Sequence, residues 1–330
     1  MRAKLFKSSV AVMIRQNILA KDSTYPSAVF SAKKIMLAIK KACALASTGS
    51  PISALEQQIV SAGWLLLDSI LTQQIPGSLL KDLSNYLTAG SGATDASDFI
   101  VKCWTERTKS FALNENDIRI LNVLEKMSGE VSLVSADRIS NDLFKLLSSF
   151  QLSPLAISSS LSVLHALSST KKDSFLRTLT ELALNSLSQY VWKTQMHTEN
   201  STVLKDSETV ASVLFLIGEL SMLGFSIEED GTDKSISSIV TEKVVNLIQT
   251  LMSKTFPTTD GELQEISCNI RAHAFVTMGK FCLRNKMLAR SHINVYLREL
   301  HATKNADDDL TEMNPVKSNA LLVLGDLCVR

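Results

Sequence analysis

"IRAHAFVTMGKFCLR", residues 270–284, is apolar around most of a helix's circumference. At roughly 100° per residue, His273, Thr277, Lys280 and Arg284 fall on one narrow stripe. Ile270, Ala274, Phe275, Val276, Met278, Phe281, Cys282 and Leu283 occupy the rest. A helix lying on one partner needs a single apolar face, so this proportion demands neighbours on several sides. The segment also recurs. "VKSNALLVLGDLCVR" (316–330) lies 316 − 270 = 46 residues further on, matching Ala274 with Ala320, Gly279 with Gly325, Cys282 with Cys328 and Arg284 with Arg330. "TVASVLFLIGELSML" (209–223) places Gly218 under Gly279, at 279 − 218 = 61 residues, the spacing lengthened by the acidic insertion "EEDGTDK". A period near 46 is that of helical repeat units, in which each copy is covered by the next. The recurring glycines read as places where another helix comes close.

The rest of the chain agrees. Its 330 residues are 45% hydrophobic and 20% charged, with a formal charge of +1, which suits a continuous core and excludes a polycationic or acidic disordered chain. Few Pro and Gly, and abundant helix formers, favour helices. Helical periodicity is punctuated by clusters such as "STGSPIS", "TAGSGATDAS", "LSPLA", "SIEEDGTDKS" and "FPTTDGE". Nothing alternates with period two. About fourteen helices are expected, with a capping box at Ser53-Ala54-Leu55-Glu56 and with Asp260 or Glu262 capping the helix that leads into Ile270. The fold expected is all-α, a right-handed α-solenoid of helix pairs. Residues 1–200 are its irregular helical-repeat segment and residues 201–330 its clearest repeats.

The pattern [VI]-[RK]-x-x-A-x-x-x-x-G-x-[LF]-C is carried by Ile270, Arg271, Ala274, Gly279, Phe281 and Cys282, and again by Val316, Lys317, Ala320, Gly325, Leu327 and Cys328. It resembles the second helix of a HEAT repeat. "IRAHAFVTMGKFCLRNKMLARSHINVYLREL" followed by "PVKSNALLVLGDLCVR" is similar, more specifically, to the D-three family of non-SMC HEAT-repeat subunits of condensin II. The likeness covers residues 203–330, is strongest over 268–330, and is loose around "SAGWLLLDSI" at Trp64. The resemblance implies a nuclear, chromosome-associated scaffold in mitotic chromosome condensation, with the kleisin, the SMC subunits and DNA as partners and the ATP site on other chains. Members of that family are longer, and the sequence stops at Arg330 without a helix C-cap signal, so a partial chain is expected. A HEAT- or armadillo-type nuclear transport or vesicle-coat adaptor is the alternative for the same architecture.

Candidate contact residues follow from charge. Arg271, Lys280, Arg284, Lys286, Arg290 and Arg298 stand against only Glu299 across 270–300, an excess that could attract DNA and makes these six candidate DNA or partner contacts. Against a continuous basic stripe, Lys280 becomes Asp326 in one copy and Glu219 in the other. Arg271 and Lys317 could be phosphate contacts, but read first as ladder residues paired with acids of a neighbouring turn, Asp307, Asp308 and Asp309 being at hand. Gly218, Ala274, Gly279, Cys282, Ala320, Gly325 and Cys328 read as repeat-packing positions, the cysteines as small hydrophobes. Trp64, Trp104 and Trp192 read as packing residues with edge exposure, with a peptide anchor as the alternative for one of them.

No enzyme is indicated, because GxSxG, Walker A, GxGxxG and HExxH patterns are missing and Glu228-Glu229-Asp230 lies in a polar loop. Five cysteines without CxxC, and His273, His292 and His301 without ligand spacing, give neither a disulfide framework nor a metal site. No cofactor and no small-molecule substrate are expected. The N-terminal apolar run is broken by Arg15 and Gln16, and no run of about 20 apolar residues exists, so no signal peptide or membrane span is expected.

Overall fold

A computed structural model describes residues 61, 63–65, 68, 91–106, 113–196, 207–223, 240–259, 261, 263–301 and 314–329. The expected cap at Ser53, the acidic loop at Glu228 and the partners at Asp307–Asp309 lie outside these residues. Helices follow one another: α1 (Ser91–Glu106), α2 (Glu115–Lys126), α3 (Leu133–Ser148), α4 (Pro154–Ala166), α5 (Lys172–Gln195), α6 (Ser207–Met222), α7 (Glu242–Met252), α8 (Cys268–Arg284), α9 (Lys286–His301) and α10 (Pro315–Val329). Among the described residues no helix is long and apolar enough to cross a membrane.

The backbone clusters into two compact units, residues 1–142 with 162–170, and residues 143–161 with 171–330. In the first, α1 and α2 pack together over a 3₁₀ turn at Ser128–Glu130. Asn114 caps α2 reciprocally: its side chain accepts from Asn116 N and Asp117 N, and Asp117 Oδ2 accepts from Asn114 N. Trp64 stacks on Phe99 with ring centroids 6.2 Å apart, and both Trp64 and Trp104 are fully buried. Trp192, on α5 of the second unit, departs from the expectation at 55% exposure: its side of α5 has no covering neighbour among the described residues.

The second unit is organised around α8. Helices α6, α8 and α10 lie side by side in that order, with α7 and α9 against α8 as well. Ten of its residues are consequently buried, from Ile270 to Cys282. Tyr296 of α9 anchors one side, donating its hydroxyl to Phe275 O at 3.0 Å and meeting the Phe275 ring edge-on at 5.5 Å. Two local expectations are corrected here. Ser267 caps α8, its side chain accepting from Ile270 N at 3.3 Å, while the expected caps Asp260 and Glu262 lie outside the described residues. The "FPTTDGE" breaker is part of a short antiparallel ribbon, β1 (Thr255–Pro257) paired with β2 (Leu263–Glu265), turned with the help of Gly261 at φ 80°.

Close approach governs the repeat-packing positions unequally. A Cβ on Gly279 would lie 2.5 Å from Val323 Cγ2 and 2.8 Å from Cγ1, so α8 and α10 touch through this glycine. A Cβ on Gly218 would meet, nearest of all, the flexible Lys280 side chain at 3.0 Å and then the Thr277 Cα at 3.5 Å. Ala274 and Ala320 are fully buried and Cys282 nearly so, burial pushing its thiol pKa up to about 12. Gly325 and Cys328 differ from the expectation. Nothing lies within 4 Å of a Cβ built on Gly325, and Cys328 is exposed, because the side of α10 turned from α8 has no neighbour among the described residues. Leu321 and Leu322 are exposed there too.

Gly279→Ala must therefore displace the stiff Val323 side chain and should lose about 1–3 kcal/mol of packing, only partly offset by roughly 1 kcal/mol of helix propensity. Gly325→Ala should stabilise by up to about 1 kcal/mol. Urea unfolding of the two variants, and of Gly279→Ala combined with Val323→Ala, which should recover most of the loss, checks the asymmetry.

Candidate functional site

The polar stripe of α8 turns toward α6 from His273 to Lys280, leaving Arg284 at its end exposed. Thr277 is 1% exposed, donating its hydroxyl to Leu214 O of α6 at 2.8 Å, with His273 O 2.9 Å away on its own helix. His273 packs its ring against Phe215 of α6, edge-on at 6.4 Å. Its pKa is lowered, first by burial and then by the Lys280 charge. Lys280 forms an ion pair with Glu219 and places its ammonium 4.0 Å from the centre of the Phe215 ring. Glu219 and Lys280 hold the same position in successive copies, 280 − 219 = 61 residues apart, so the change of sign between copies is a pairing between adjacent helices. Sequence alone carried that signal, in the alternation Glu219, Lys280, Asp326.

Of the six basic candidates, the structure commits two to internal contacts. Lys280 is one. Arg271, 6% exposed, is the other: its Nε donates to Met252 O at 3.2 Å and its Nη2 to Glu299 Oε2 at 3.0 Å. Arg271 is thus paired with an acid of the following helix, Glu299. The other four, Arg284, Lys286, Arg290 and Arg298, are exposed. Lys286 and Arg290 stand one turn apart on α9, a spacing that puts them on one face. Exposed Met287, Ile293 and Leu297 lie beside them, so the outer surface of α9 is basic and apolar together. Lys317 on α10 is half-buried.

Sequence reasoning missed a recess bounded by α7, α8 and α9, with a volume of about 340 Å³. Arg271 and Arg298 both line it, joined by Lys254 and His292. Gln249 Nε2 and His292 Nε2 are 2.6 Å apart, and His292 Nδ1 lies 2.9 Å from Leu288 O. The tautomer assigned from these contacts carries its proton on Nδ1 and accepts from Gln249. His292 is thus a positioned wall residue. No cluster of three metal-ligating side chains occurs among the described residues.

Swapping the α6–α8 pair tests its contribution. Lys280→Glu faces Glu219 with a second carboxylate and should cost about 1–3 kcal/mol, a range between the surface and buried limits for ion pairs. Glu219→Lys combined with Lys280→Glu should regain at least half of that in a double-mutant cycle followed by urea unfolding.

Residues 207–300 match the family model described as condensin-2 complex subunit D3-like, HEAT repeats. Condensin-2 complex subunit D3 of Mus musculus is 24% identical over 256 residues, covering 70% of this chain and 16% of the mouse protein. Condensin-2 complex subunit D3-L of Xenopus laevis is 41% identical over 61 residues, 18% of this chain and 4% of the frog protein. The chain thus spans a small part of the length of the curated relatives it matches. No solved structure matches it. Helices α6 to α9 thus fall in the stretch that resembles the HEAT repeats of condensin-2 subunit D3.

Proposed function

We propose that this chain is a non-enzymatic scaffold segment of a condensin II subunit, acting in the nucleus on chromosomes during mitotic condensation. Its HEAT units stack as a solenoid, bind an extended kleisin segment, and bring cationic side chains to DNA in a complex whose ATPase resides on the SMC chains. The observation that carries this reading is the family match over α6 to α9, in which α6 packs on α8; α10, beyond the matched residues, packs on α8 in turn. Extended surfaces of stacked helices suit long, extended partners better than small ligands. The exposed face of α9 offers Lys286 and Arg290 beside Arg284, whereas Lys280 is occupied by Glu219.

Affinity purification of the tagged chain from dividing cells should recover SMC ATPases and a kleisin. Recovery of a small GTPase with cargo would instead favour the transport or coat adaptor. DNA engagement has its own measurement. Replacing Arg284, Lys286 and Arg290 together by Gln should weaken binding to duplex DNA. It should also shallow the dependence of log affinity on log salt by up to about 0.9 for each phosphate no longer neutralised. Lys280→Gln should leave both unchanged, and a triple variant that binds as well as the unsubstituted chain would remove this face from the reading.

A further inference from the structure

We infer that the recess between α7, α8 and α9 binds an acidic side chain, carboxylate or phosphate ester, presented by a protein segment. Its floor is Arg271, whose guanidinium is fixed from two directions by Met252 O and Glu299. Those bonds engage Nε and Nη2; Nη1 bonds no protein atom among the described residues and remains available to the recess that Arg271 lines. Lys254 and Arg298 stand exposed at the rim, and neither is in an ion pair with a carboxylate among the described residues. Three cations against the single carboxylate Glu299 leave a net positive site, and Glu299 is already committed to Arg271. Met252, Phe275 and Val295 supply an apolar wall for the methylenes that carry an anionic group.

The shape selects the source of the anion. At about 340 Å³ the recess is at the small end of ligand pockets, which run from roughly 300 to 1,000 Å³, so it suits one side chain. Arg271 is more than nine-tenths buried. A phosphate on a duplex is carried on a stiff, convex backbone and cannot descend to such a floor, whereas a side chain on an extended peptide can. A guanidinium whose orientation is already fixed loses little entropy when it takes an oxyanion. This inference stands independently of the condensin assignment.

The full chain carrying ¹⁵N-labelled arginine provides the test, because the Arg271 Nε–H, bonded to Met252 O, should give a protected, observable resonance. N-acetyl-phosphoserine N-methylamide, N-acetyl-glutamate N-methylamide and the neutral N-acetyl-glutamine N-methylamide are the probes. Both anions should shift that resonance saturably and the neutral amide should not; the tighter anion names the source as phosphorylated or acidic. Arg298→Gln and Lys254→Gln, at exposed positions, should fold normally and weaken binding about five- to tenfold each. Absence of a saturable shift, an equal shift with the neutral amide, or unchanged affinity in both rim variants would overturn the site. The same shift produced by a duplex oligonucleotide would overturn its assignment to a protein segment.

Discussion

Enclosure of α8 is the constraint on which the second unit depends. A helix apolar through most of its circumference gains stability only where several partners exclude water from it together, because apolar area left exposed contributes nothing. Four helices and one missing side chain accomplish this: α7 and α9 close two sides, α6 covers the polar stripe, and Gly279 lets α10 settle onto the remaining one. The buried aromatic pair Phe275 and Tyr296 then fixes α9 at a set distance, since a hydroxyl bonded to a carbonyl cannot slide without losing its partner.

Polar groups inside this enclosure act as alignment marks. Thr277 reaches a carbonyl of the neighbouring helix, Asn319 of α10 donates to Ala272 O at 3.1 Å, and Arg271 ties α7 to α9 through α8. Each bond is satisfied only at one axial offset between helices, so together they select a register from the many that apolar packing tolerates. That selection also holds Arg271 in place, and a cation held at the base of a recess differs functionally from the exposed cations of α9.

Much of this was legible in the sequence. The apolar circumference of 270–284 required a surrounded helix, and recurrence of its glycine pointed to a close approach that Gly279 makes. Other features depended on what lies opposite, which a single segment does not encode. Thr, His and Lys are at home in water, so nothing local said that their stripe would face Glu219 and Phe215. Gly325 repeats the pattern of Gly279 yet meets open space, since closeness belongs to a pair of helices. Ser267 was overshadowed by nearby acids, and three-residue strands are too short to display alternation. The recess was illegible for a related reason: it collects side chains from 249–254, 271–275 and 292–299, three runs that share no motif.

The sign change between Glu219 and Lys280 bears on how such an array can evolve. Repeat proteins commonly lengthen by copying a unit in tandem, which works when every copy is compatible with itself. Here a duplicated α8 would bring one ammonium against another, whereas the present neighbour offers a carboxylate. Unit order is therefore written into alternating charge, and expansion at this point is disfavoured unless the copied lysine changes sign.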